Sequence, residues 1–116
     1  MDKNKKYKVH ISKDALFDIK LIKRYLLTTA HYHEYAEHFS RSIKKAIRQL
    51  ELFPLGNEKT EYNIQGFTIY YRSFNTYLIF FVIIDQKITV IRVLSERMHW
   101  QSIIRKIHSL SSEIEY

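Results

Sequence analysis

Residues 92–100 read Arg-Val-Leu-Ser-Glu-Arg-Met-His-Trp, where an apolar run breaks into charge, an imidazole and the chain's one tryptophan. Arg97 follows that run directly, at the rim of any sheet the run would build. A guanidinium is always protonated and binds bidentately, so it can stabilise charge developing on a phosphate. His99 can exchange a proton near neutral pH. The competing reading is structural, with Ser95 capping a helix and Trp100 packed on the sheet. Trp100 continues an Ile103–Ile107 stripe, which favours a packing anchor over a base-stacking platform. For Arg97 the two readings stand level.

A second set of charges lies upstream. Arg41, Lys44, Lys45 and Arg48 fall within about 100° of arc on one helix face, opposite Phe39, Ile43 and Leu50. Such a face is either simply solvated or a phosphate-backbone patch. Tyr70, Tyr71 and Tyr77 surround Arg72, and rings interleaved with arginine can stack bases, although tyrosine also favours strands for its own sake. The net charge of +7, from 19 basic and 12 acidic residues, points to a polyanion or an acidic protein partner.

Several chemistries find no support. Cysteine is absent, which removes disulfides and thiolate catalysis and suits a reducing compartment. His31, His33 and His38 lack metal-ligand spacing, so no metal and no cofactor are expected. No Gly-x-Ser-x-Gly elbow occurs, and two glycines cannot build a phosphate loop. The charged N-terminus carries no signal-peptide pattern. The longest apolar run, Tyr77 to Ile84, falls far short of the roughly 20 residues of a spanning helix. A cytoplasmic protein without a membrane partner is the expectation.

The elements that must hold these residues follow from periodicity. Tyr7, Val9 and Ile11 alternate as a short strand, and Ser12 sits where a helix N-cap belongs. Ala15, Ile19, Ile22 and Leu26 then mark a first helix, and His31 to His33 a connection. Ala36, Phe39, Ile43, Ala46, Leu50 and Phe53 mark a second, stopped by Pro54. Two helices so linked form an antiparallel hairpin. Three strands follow: Phe67–Tyr71, then Tyr77–Ile84, apolar on both faces and therefore central, then Ile88–Leu94. Trp100, Ile103, Ile107 and Leu110 space as a short final helix, leaving residues 111–116 as a frayed tail. The expectation is one α+β domain over residues 1–116. It has an N-terminal strand, a helical hairpin, a three-stranded antiparallel meander joined into one sheet, and a C-terminal helix.

In this order, "KVHISKDALFDIKLIKRYL", "IRQLELFPLGN" and "YLIFFVIIDQKITVIRVLSERMHW" resemble the RelE/ParE toxins of type II toxin–antitoxin systems, from Tyr7 to about Ile107. The resemblance implies a growth-inhibiting toxin neutralised by a cognate, often acidic antitoxin. Its lead mechanism is RelE-like, a metal-independent endoribonuclease that cleaves mRNA on the ribosome. Arg97 and His99 would be catalytic, with Arg72 and Arg92 as candidate replacements for an arginine that RelE-like members carry where Leu78 stands. Arg41, Lys44, Lys45, Arg48 and Trp100 would contact nucleic acid. The alternatives are a ParE-like inhibitor of DNA gyrase that needs no catalytic set, and a degenerate, non-toxic basic binding module. Arg97 and Trp100 match the family's arginine and aromatic after the last strand, whereas Ser95, Glu96, Met98 and His99 depart from its pattern. The helical hairpin and the Leu-x-x-Phe-Pro-x-Gly element lean to the ParE-like branch.

Overall fold

The computed structural model describes residues 7–29, 33–52 and 54–116. In chain order these form β1 (Lys8–Ser12), α1 (Lys13–Thr29), α2 (His33–Gln49), β2 (Glu58–Ile64), β3 (Phe67–Phe74), β4 (Tyr77–Ile84), β5 (Lys87–Ser95), α3 (Trp100–Ile104) and β6 (Glu113–Glu115). All six strands join one sheet in the order β2-β3-β4-β5-β1-β6. The pairs from β2 through β5 are antiparallel, whereas β1 lies parallel to β5. A parallel pair needs a long crossover, and the α1–α2 hairpin is part of it.

Ser12 ends β1 and starts α1. Its Oγ accepts the Ala15 N–H at 3.1 Å, the expected N-cap, and donates to the Ile91 carbonyl at 3.0 Å. One hydroxyl therefore caps the helix and ties it to β5. The second helix is amphipathic, burying Ala36, Phe39, Ile43, Ala46 and Ile47. Helical order stops at Gln49, a turn before the expected end at Phe53. Phe53 itself, like His31 in the expected connection, lies outside the described residues.

The strand β4 separates two apolar layers. Ile79 and Phe81 pack with the hairpin, while Leu78, Phe80 and Val82 face Ile69, Ile91, Leu94 and Ile104 on the other side. Burying each such side chain contributes about 1.5–3 kcal/mol, which is why this strand is apolar throughout. In β5 the alternation slips. Phe80 stands opposite Arg92 and Phe81 opposite Val90, so Ile91 is an extra residue. This bulge lets Val90 and Val93, three apart, share the hairpin layer, while Ile91 and Leu94 share the other. It also re-aims Arg92.

Two strands were not expected from the sequence. The meander has four strands, because β2 precedes the three anticipated. It is polar and lies at the edge, with only Ile64 buried, so it carries no strong alternating signal. The tail at 111–116, expected to fray, instead supplies β6, antiparallel to β1, and the Tyr116 N–H donates to the Val9 carbonyl at 2.9 Å. The final helix is shorter than its stripe. It ends at Ile104, and the Lys106 and Ile107 N–H groups close tighter three-residue turns, yet Ile103, Ile107 and Leu110 still pack on the second layer.

Candidate functional site

The turn after β5 keeps Arg97 at the surface. The Glu96 N–H donates to the Thr76 carbonyl at 2.8 Å, and the Arg97 N–H to the Ser95 hydroxyl at 3.2 Å. These bonds pin the backbone and leave the guanidinium exposed, with no hydrogen-bond or ion-pair partner among the described residues. Ser95 therefore braces the turn and does not cap α3. The residue at that helix's N-cap is His99, whose ring is exposed and makes no capping bond.

The other two arginines are engaged within the fold. Arg92 donates to both carboxylate oxygens of Asp18 in α1, at 2.7 and 2.8 Å, and the Val93 N–H donates to the same carboxylate at 3.0 Å. Asp18 is nearly fully buried, at 6% exposure. The hydrogen bonds to Asp18 raise the Arg92 pKa against the opposing effect of burial. The Arg92 fork of Nε and Nη2, which the sequence nominated as a stand-in for a catalytic arginine, is therefore occupied by Asp18. Arg72 is likewise tied, donating from Nη2 to Gln49 Oε1 on α2 at 2.6 Å. Leu78 is buried in the second apolar layer opposite Leu94. Nothing there presents a cation to solvent.

The aromatic residues resolve toward packing. The Trp100 ring lies 5.1 Å from Phe80 and 6.2 Å from Tyr71, centroid to centroid. Tyr70 stacks on Phe81 at 5.7 Å, and Tyr77 meets Phe39 at 5.4 Å. Burial raises the Tyr77 pKa first, and the nearby Tyr25 adds to it. The rings of Trp100, Tyr70, Tyr71 and Tyr77 are half-buried rather than displayed. Arg41, Lys44, Lys45 and Arg48, by contrast, are all exposed, and with Gln49 and Leu52 they border a shallow depression of about 430 Å³. The positive face of α2 is therefore real and open. Among the described residues, no group of three or more His, Asp or Glu side chains could hold a metal ion, and no helix is long and apolar enough to cross a membrane.

Sequence reasoning passed over Asp18, Gln49 and one surface. The two partners carried no signal, because their roles depend on long-range contact. The surface did carry one. Phe17, Leu21 and Tyr25 step by four along α1, outside the core register, and all three are exposed.

A sheet with a helical hairpin on one face and a short helical segment on the other, with a turn after the fifth strand that holds out Arg97, sets the class. The family described as the ParE toxin of the type II toxin–antitoxin system parDE matches residues 9–100. The chain belongs to that family. A chain of the structure described as the chromosomal ParDE toxin–antitoxin system from P. aeruginosa shares the fold, with a TM-score of 0.61 at 13% identity. The alignment covers 77% of this chain and 95% of that one. No curated protein is significantly similar in sequence.

Proposed function

We propose that the chain arrests growth as a ParE-type toxin by binding DNA gyrase, without cleaving nucleic acid, and that a cognate antitoxin neutralises it. One observation carries this reading. The arginines that a ribonuclease would need around one scissile phosphate are not gathered. Arg92 is closed by Asp18, Arg72 is held by Gln49, and position 78 is a buried leucine. Metal-free cleavage depends on preorganised cations aimed where charge develops, and Arg97 by itself supplies little of that. A binding protein has no such need. An exposed Arg97 beside Met98 and His99 is a contact surface in its own right, and the cation row on α2 suits sequence-independent contact with phosphates. Membership of the ParE family supports the same reading.

The mRNA-cleaving reading keeps one supporting observation: the Arg97 guanidinium is exposed and has no hydrogen-bond or ion-pair partner among the described residues, with an exposed imidazole two residues away. Primer extension on translated mRNA after induction separates the two. Intact transcripts under full growth arrest are the expected result. Defined new 5′ ends within reading frames would overturn the non-catalytic account. Normal growth on expression without an antitoxin would leave only the basic binding module.

A further inference from the structure

Several cations of this chain are engaged within the fold. Lys23 pairs with Glu37 at 3.4 Å, Lys87 with Glu113, Arg92 with Asp18, and Arg72 bonds to Gln49. Arg41, Lys44, Lys45 and Arg48 on α2 differ. Their side chains are exposed and have no hydrogen-bond or ion-pair partner among the described residues. They stand three or four residues apart, so like charges are neighbours on the helix surface, which opposes helix formation. The helix dipole favours cations only in the last turn, which holds Arg48 alone of the four. Glu34 and Glu37 share the arc, but they lie one to two turns nearer the helix N-terminus, and Glu37 is engaged by Lys23. Glu51 is half-buried and borders a separate depression with Arg48. None of these carboxylates borders the depression of about 430 Å³ that the four cations form with Gln49 and Leu52.

We propose that this face of α2 binds the phosphate backbone of duplex DNA, and that the toxin thereby holds the DNA on which its target enzyme works. The second half rests on the gyrase reading above, and the first half does not. Arg41 and Arg48 lie about 10 Å apart along the helix axis, a length over which duplex DNA presents about six charges. Four cations on long side chains can each take one phosphate there without reading sequence. An acidic protein fits less well. Protein interfaces are built round apolar anchors and are poor in lysine, whereas Leu52 is the one apolar residue bordering this depression among the described residues. Single strands are gripped by stacked rings, and the half-buried Tyr70, Tyr71, Tyr77 and Trp100 do not border it. The exposed Tyr35 stands about 120° round the helix from Arg41.

The probe is a labelled DNA duplex of about two helical turns, followed by fluorescence anisotropy with the full chain over a range of salt. Each phosphate neutralised contributes about −0.9 to the slope of log affinity against log salt, so four predict a slope of about −3 to −4. Two unrelated sequences should give the same value, and a single strand of equal length should bind more weakly. Lys44→Gln with Lys45→Gln should reduce the slope by about two and weaken binding by about tenfold or more at low salt. Lys20→Gln with Arg24→Gln removes as much charge from exposed positions on α1 and should leave the slope unchanged. Equal losses with both pairs would mean attraction by net charge alone and would overturn the inference. So would tighter binding of the single strand, or no duplex binding. The Lys44→Gln, Lys45→Gln chain should bind gyrase without DNA as the wild type does, yet inhibit supercoiling less at a given concentration. Undiminished inhibition would remove the DNA contact from the mechanism. If the wild-type chain binds duplex as expected and leaves supercoiling untouched, the gyrase reading fails and the DNA surface stands. Inhibition without any duplex binding would sink the inference and spare the gyrase reading.

Discussion

At the scale of single residues, the decisive fact is which arginine is free. Arg92 and Arg97 are five apart in the sequence and look equivalent there, but only a carboxylate from α1 tells them apart. Asp18 answers two donors of Arg92 and the N–H of Val93, and it does so almost without solvent. Removing one partner of such a pair costs far more than the pair's net worth, because the other charge stays buried. Asp18→Ala should therefore lower stability by about 3–5 kcal/mol in denaturant unfolding. Adding Arg92→Leu should recover part of that loss, which a double-mutant cycle reads directly. Arg97→Ala should do the reverse. Its side chain is exposed and makes no hydrogen bond or ion pair among the described residues, so stability should stay within about 0.5 kcal/mol while growth arrest is lost. If Arg97→Ala unfolds the chain, its role is structural and the contact surface must lie elsewhere. None of this was legible in the sequence. Spacing could nominate Arg72, Arg92 and Arg97, but it could not supply Gln49 or Asp18.

Among the elements, those built from long apolar periodicity were readable and those completed by a neighbour were not. The helices and the core strands β3, β4 and β5 follow from their own residues, and even the cap at Ser12 is visible beforehand. β2 and β6 are edge strands whose order comes from the backbone of β3 and β1, so their polar sequences announce nothing. The C-terminal strand is held at one end by Glu113, which pairs with Lys87 on β5. Burial on its own would raise the pKa of that carboxyl. The hydrogen bonds from Lys87 and Thr89, with the charges of Lys87 and His10, outweigh it and leave the value lowered. A lowered folded pKa means the contribution is complete above the ordinary carboxylate value of about 4.3 and is lost as pH falls through the lower folded value. Acidification should therefore release β6 before the rest of the sheet. Loss of protection of the Tyr116 amide below that pH, relative to its intrinsic exchange rate, is the readout, and Glu113→Gln should lack that protection already at neutral pH. Protection that is independent of pH would show that the strand is held by its backbone alone.

For the molecule as a whole, the sheet divides the labour. The hairpin side carries two helix surfaces of different character. On α2 Arg41, Lys44, Lys45 and Arg48 offer a row of charge, whereas on α1 Phe17, Leu21 and Tyr25 offer exposed apolar area. The far side seats Trp100 against Phe80 and leads into the turn that holds out Arg97. The fold class and the positive face were legible from periodicity and composition. The mechanism was not, because one fold can host different functions and the difference lies in the side chains of the site. With Arg72 and Arg92 engaged within the fold, the function proposed above is inhibition by contact. The most direct test is DNA supercoiling by purified gyrase with the purified chain added. The account predicts inhibition that rises with toxin concentration, is lost with Arg97→Ala, and leaves added mRNA uncut on translating ribosomes. Undisturbed supercoiling together with cleavage of that mRNA would contradict it.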